Sequence, residues 1–162
     1  LHALALVDEL TGLANRRGFA FFAEAELARA RREQRNPVVV FADIDLLKQI
    51  NDSHGHAAGD VAIKLVAQAF KGILRESDIV ARWGGDEFVA LIGEGGEAAA
   101  HVSARLGGAI AALRPPGVAY AVRVSVGVSS LDPTLPLAEA IERADAELYK
   151  TKGARNSGET RS

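Results

Sequence analysis

Arg82-Trp83-Gly84-Gly85-Asp86-Glu87-Phe88 lies between two runs that read as β-strands, Ser77 to Arg82 and Glu87 to Ile92. Both runs are rich in Val, Ile, Ala and Phe, and the Gly84-Gly85 pair joins them. Two glycines in that setting predict a tight hairpin, because such turns require positive φ and glycine adopts it without steric cost. A hairpin is an antiparallel pair, which weighs against a doubly wound parallel sheet. Directly after the turn, Asp86 and Glu87 place two carboxylates at the mouth of an otherwise apolar strand. Alone, such a pair is a solvated hairpin tip. Its meaning depends on what the chain brings to meet it.

What meets it comes from upstream. Val38-Val39-Val40-Phe41-Ala42 is continuously apolar, the pattern of a central strand buried on both faces. It runs straight into Asp43-Ile44-Asp45. An acid at the end of a buried strand is costly unless a cation pairs with it. If the two strands are antiparallel neighbours, Asp43 meets Asp86 and Glu87 at one edge of the sheet. Converging carboxylates repel unless a divalent cation neutralises them. All-oxygen donors suit Mg²⁺, which shares its coordination with substrate phosphates. Phosphoryl and nucleotidyl transfer commonly use two such ions. Spacing alone therefore points to metal-dependent phosphate chemistry.

The remaining elements predict one domain over 1–162. Residues 1–7 read as the end of an upstream signalling helix, and residues 156–162 as a C-terminal tail. A long helix is expected over Arg16–Gln34, with Phe19, Phe22, Leu27 and Ala30 on its apolar side. Leu46–Ile50 reads as a helical turn and Asn51–His56 as a loop. A helix then opens at Gly59-Asp60, with Asp60 as cap or first-turn acid and Val61, Leu65, Ala69, Phe70 and Ile73 inward. Further helices are expected over Glu97–Leu113 and Leu137–Lys152, with a strand over Ala119–Ser129 between them. This order predicts an α+β fold, a mostly antiparallel sheet with helices on its faces. A net charge of −2 gives no general attraction to nucleic-acid polymers or acidic membrane, so phosphate binding falls to a few placed basic groups. With no cysteine there are no thiolate metal sites, and no stretch is apolar enough to span a bilayer.

Read together, these segments resemble the GGDEF family of diguanylate cyclases over nearly the whole chain. The resemblance rests on Asp8-Glu9-Leu10-Thr11-Gly12-Leu13-Ala14-Asn15-Arg16-Arg17, Asp43-Ile44-Asp45, Lys48-Gln49-Ile50-Asn51-Asp52, Gly55-His56 and Gly59-Asp60. It continues through Ala81–Phe88, Ser125-Val126-Gly127 and Ala144-Asp145-Ala146-Glu147-Leu148-Tyr149. It implies a fold like the nucleotidyl-cyclase and polymerase palm. It also implies condensation of two GTP into cyclic di-GMP with release of two pyrophosphates, across a homodimer. By the same resemblance Asp43 and Asp86, with the Ile44 carbonyl, are ligands of two Mg²⁺ (or Mn²⁺) ions per active site. Glu87 is a further ligand or the group that deprotonates the 3′-hydroxyl. Gly84 and Gly85 let the hairpin lie against the nucleotide, and Asn51 and Asp60 read guanine. Backbone amides of Leu46, Leu47 and Lys48 cradle phosphates, and Lys152 and Arg155 hold the outer ones. Arg75 and Asp78 match the family's inhibitory RxxD motif for bound product, with Arg105 as candidate second arginine. The implied setting is cytoplasmic, free or tethered through an upstream regulatory domain.

Each residue has a plainer reading. Asp60 can simply cap a helix, Lys152 and Arg155 can be cations at a helix end, and Arg75 with Asp78 can be a surface ion pair. His54 and His56 invite a metal site, but two histidines in a glycine loop more often order the loop. Lys152-Gly153-Ala154-Arg155-Asn156 is one residue shorter than the family's usual spacing. The alternative function is a non-catalytic receptor for cyclic di-GMP, for which the intact Asp43, Asp86 and Glu87 would have no use.

Overall fold

The computed structural model describes residues 5–94 and 100–159. Its elements are α1 (Arg16–Arg32), β1 (Val38–Ile44), α2 (Leu47–His54), α3 (His56–Ile73) and β2 (Ile79–Arg82). Then come β3 (Glu87–Ile92), α4 (Val102–Leu113), β4 (Val124–Ser130) and α5 (Leu137–Glu159). The strands form an antiparallel sheet in the order β2-β3-β1-β4. The α+β architecture expected from the hairpin and the central strand is the one observed.

Continuous apolarity in β1 serves two cores. Val38, Val40, Ala42 and Ile44 face a core built with α3 and α4, through Val66, Phe70, Leu106 and Ile110. Val39 and Phe41 face a second core with Phe19, Ala23 and Leu27 of α1 and Ala140, Ala144 and Leu148 of α5. By strand alternation, Asp43 belongs to the α1/α5 face. The same alternation puts Val122, Val124 and Val126 on the α3/α4 side, with Tyr120 and Val128 packed against it.

Several boundaries differ from the sequence expectation, each for a physical reason. Ala5 and Leu6 carry no helix and Val7 bridges Ala14, because the Asp8–Leu13 turn folds the chain back on itself. Gly12, at φ +71°, makes that reversal, and Asp8 holds it by accepting from the Thr11 amide and hydroxyl. Asn51–His54 is helix rather than loop, since the single residue Gly55 (φ 88°) makes the corner between α2 and α3. Helix α3 therefore starts at His56, and Asp60 is neither its cap nor in its first turn. Phe22 and Val61 are exposed, and Ala23 and Ala62 take the inward places. Strand β4 begins only at Val124, and α5 runs on to Glu159, through residues read as tail. The starts expected at 1–4 and Glu97 lie outside the described residues, as do Gly95, Gly96 and residues 160–162.

The hairpin is wider than a two-residue turn. Arg82 pairs with Phe88, and the Trp83 and Gly84 amides both donate to the Glu87 carbonyl, at 2.7 and 3.3 Å. Neither Gly84 nor Gly85 has positive φ. Gly84 instead lies against the Glu87 carboxylate: a Cβ there would meet Glu87 Oε1 and make that side chain shift.

Helix α5 lies directly on β4 at Gly127, where an added Cβ would sit 2.0 Å from the Ala144 carbonyl oxygen and 2.3 Å from the Leu148 nitrogen. Both are backbone atoms of a helix that cannot yield locally. Gly127→Ala should therefore cost about 3 kcal/mol, the top of the usual overpacking range. Urea unfolding would show it as a lowered midpoint, and an unchanged midpoint would mean that α5 does not pack this closely.

Candidate active site

The register of β1 against β3 sets the site. Val38 opposes Ile92, and the ladder ends with Asp43 opposite Glu87. The Ile44 amide then donates to the Asp86 carbonyl at 2.9 Å, so the ladder carries into the hairpin itself. Two acidic segments separated by over forty residues are held side by side by main-chain bonds.

The hairpin is anchored from outside. Arg82 donates to the Gly85 carbonyl through Nη2 (2.9 Å) and reaches Asp8 through Nη1 (3.3 Å). Arg16 donates from Nε to the Trp83 carbonyl at 2.7 Å, with its guanidinium 4.7 Å from the Trp83 ring centre. Trp83 meets Phe19 edge to face at 5.7 Å. Trp83, to which the sequence reading gave no chemistry, thus fixes the turn to α1.

Helix α5 brings cations to the same end of the sheet. Lys152 Nζ is 2.9 Å from Asp43 Oδ2. Arg155 Nη1 is 3.0 Å from Asp45 Oδ2 and also donates to Ser125 Oγ, while the Ser125 hydroxyl donates to Asp45 Oδ1 at 2.6 Å. Both cations reach the mouth of β1 despite the shortened spacing between them. A cleft of about 710 Å³ opens there, walled by Asp45, Arg123, Lys152 and Arg155, with Ser103 and Gly107 of α4 opposite.

The carboxylates are electrostatically strained. Burial pushes the Asp43 carboxyl above its usual range; the Lys152 ammonium opposes this, and Asp86 adds to it. Burial also raises Glu87, helped by the charges of Asp86, Asp43 and Asp145. Asp43 Oδ1 is buried without a hydrogen-bond partner. An acceptor so placed fits a cation, since buried acceptors left unpaired are costly. Among the described residues, no three His, Cys, Asp or Glu side chains converge as a metal site on their own. The donor set instead suits Mg²⁺, which needs only one or two protein carboxylates when phosphates and water complete its shell.

Next to the acids, Leu46 is left-handed (φ 58°) and turns the chain into α2. Leu46 has no side-chain cap to offer, and Leu47-Lys48-Gln49 contains no acid, so the helix start is open to an anion. Further along, Asn51 lies against Gly59, where a Cβ would come within 1.8 Å of Asn51 Oδ1. The corner at Gly55 thus brings Asn51 and Asp60 to adjoining helix turns. Asn51 Oδ1 is likewise buried and unpartnered. His56 is an exposed first residue of α3, and His54 packs on Tyr120.

The arginine motif lies elsewhere, at the far end of β2 and β3. Asp78 accepts from the Arg75 amide (2.9 Å) and the Gly93 amide (3.1 Å), so it shapes the backbone and does not pair with the Arg75 guanidinium. That guanidinium is exposed and meets Glu94. Arg29 and Arg35 line the same small cleft, and Arg35 bonds Glu26. Arg105 is occupied with the Ile73 carbonyl instead. The sequence does not single out Asp45, Arg16 or Arg35, because each acts through a contact between segments distant in the chain, nor Arg29, which pairs locally with Glu33 and reaches the cleft only through the fold.

Comparison with known proteins bears on the family and the fold. The model of the family described as "Diguanylate cyclase, GGDEF domain" matches residues 5–158. Diguanylate cyclase DgcP of Pseudomonas aeruginosa is 38% identical over 93% of the chain, which spans 23% of that relative. The probable diguanylate cyclase DgcC of Escherichia coli K12 is 36% identical over 95% of the chain, which spans 42% of it. The crystallised GGDEF domain of DgcB from Caulobacter crescentus, in complex with c-di-GMP, superposes with TM-score 0.79. It is 29% identical, with 95% of this chain and 94% of that one covered.

A carboxyl whose folded pKa is raised favours the fold below the ordinary carboxylate pKa and loses that contribution as pH rises through the elevated value. Ionised Asp43 is thus a net burden at neutral pH even beside Lys152. Asp43→Asn, in chelator, should raise Tm at pH 7. The gap should close as pH falls toward about 4. A lowered Tm at pH 7 would show that the Lys152 ion pair outweighs burial.

Proposed function

This chain belongs to the GGDEF diguanylate cyclase family, and we propose that it condenses two GTP molecules into cyclic di-GMP, releasing two pyrophosphates. The observation that carries the reading is the pairing of Asp43 with Glu87, Asp86 adjoining, around an unpartnered buried carboxylate oxygen. Asp43 and Asp86, with the Ile44 carbonyl, would hold two Mg²⁺ (or Mn²⁺) ions, which supply Lewis-acid stabilisation of phosphate charge when bound.

The chain's own groups do the rest. Main-chain amides at Leu46, Leu47 and Lys48 receive phosphate oxygens at the open start of α2. Lys152 and Arg155 turn from Asp43 and Asp45 to the outer phosphates. Gly84 and Gly85 keep the hairpin low enough for the nucleotide to lie across it. Asn51 and Asp60 read the guanine edge, Asp60 accepting from N1–H and the 2-amino group, a donor pattern adenine lacks. Glu87, whose raised pKa suits proton transfer, takes the proton of the 3′-hydroxyl. The 3′-oxygen then bonds to the α-phosphorus of the facing nucleotide as the bond to pyrophosphate breaks. Each domain holds one GTP, so two copies must face each other, and proximity supplies much of the rate. An upstream regulatory domain would control that encounter, drawing on cytoplasmic GTP. No helix among the described residues is long and apolar enough to cross a membrane.

Product inhibition is assigned to Arg75, with Asp78 shaping its loop and Arg29 and Arg35 beside it. Guanidinium groups suit bidentate contact with phosphate and guanine edges.

Two outcomes test this reading. Asp86→Ala should lower pyrophosphate release from GTP and Mg²⁺ at least about 100-fold, while calorimetry shows cyclic di-GMP still bound. Loss of both would contradict separate catalytic and inhibitory sites. Product binding without any turnover in a dimeric wild type would instead identify a receptor. Arg75→Ala should weaken inhibition by about 10- to 100-fold, the worth of charge-assisted hydrogen bonds. An unchanged inhibition constant would remove Arg75 from the site.

A further inference from the structure

Helices α2 and α3 meet at a corner of one residue, and that corner sets how Asn51 and Asp60 stand to each other. Inside it, the Gly55 amide closes on the Asn51 carbonyl at 2.8 Å, and Asn51 lies against Gly59. A one-residue glycine corner has little stiffness of its own, since glycine restricts φ and ψ least. One side chain from a distant segment grips both arms. The Tyr120 hydroxyl donates to the Ala58 carbonyl in the first turn of α3, at 2.9 Å. Its ring packs on His54, the last residue of α2, with centroids 4.9 Å apart. Tyr120 itself is half-buried and packed against the core that holds Val122 and Val124. The grip is therefore anchored against the core, in the segment that leads into β4, and not in either helix.

We propose that Tyr120 is a positioning residue for guanine recognition: it fixes the α2–α3 corner and so the placement of Asn51 and Asp60 against the base. This rests on the reading of Asn51 and Asp60 given above. The role assigned to Tyr120 is indirect: its effect reaches the base through the Ala58–Gly59–Asp60 turn. Loss of its hydroxyl should loosen base contacts and leave the carboxylates at the β1 mouth, on a different element, undisturbed. The ring alone would preserve core packing, so Tyr120→Phe isolates the hydrogen bond, and His54→Ala removes the other half of the grip.

The test is the affinity of the full chain for a non-hydrolysable GTP analogue and for its inosine counterpart, which lacks the 2-amino group. Calorimetry reads binding without requiring turnover or a competent dimer. Tyr120→Phe should weaken the guanosine analogue about fivefold, the worth of one net hydrogen bond. It should weaken the inosine analogue less, so that the preference between them shrinks, and His54→Ala should act in the same direction. Asp60→Ala is the control and should abolish the preference. If Asp60→Ala abolishes it but Tyr120→Phe keeps the wild-type ratio, or weakens both analogues equally, Tyr120 is structural only. If Asp60→Ala leaves the preference intact, the reading of the base site fails, and the role of Tyr120 with it.

Discussion

The ladder between β1 and β3 is the constraint on which the molecule turns. Its main-chain bonds leave Asp43 no freedom to move away from Glu87. A one-residue slip would send every β1 side chain to the opposite face, exchanging Val40 and Ala42 with Val39 and Phe41 between two cores of different shape. Apolar burial on both faces thus fixes the register. The register in turn forces acids together at the sheet end, where burial and mutual repulsion raise Asp43 and Glu87. Core packing holds an arrangement that electrostatics alone would disperse.

Everything else at that end serves the strained cluster. Arg82 and Arg16 hold the hairpin from the Asp8 turn and the start of α1. Gly84 leaves space for the Glu87 carboxylate, and Gly127 lets α5 settle close enough for Lys152 and Arg155 to reach Asp43 and Asp45. These cations pair directly with the acids. Under the function proposed above, a triphosphate recruits both, so that substrate binding and release of the carboxylates are a single exchange of partners.

Much of this was legible in the chain. The unbroken Val38–Ala42 run announced a central strand, and acids at the end of one strand and the start of another announced where they would meet. At the hairpin glycines the sequence shows conformational freedom, whereas the structure uses no positive φ there and sets Gly84 against the Glu87 carboxylate. Asn51–His56 reads as a loop in the sequence, yet one glycine with positive φ suffices to join two helices there. Arg155, the partner of Asp45, and the Gly93 carbonyl that Arg35 reaches lie across the fold, at distances along the chain that no local pattern encodes. Within the strand expected over Ala119–Ser129, nothing local marks Tyr120 as the residue that holds Ala58.

The account stands or falls on whether the carboxylates of β1 and the hairpin share an ion beneath a guanosine triphosphate. Anomalous diffraction from crystals grown with Mn²⁺ and a non-hydrolysable GTP analogue locates that ion directly. The account predicts an anomalous peak within coordination distance of both Asp43 and Asp86, with Lys152 turned from Asp43 to phosphate. A nucleotide bound with its phosphates elsewhere, or an ion that ignores Asp43, would contradict it.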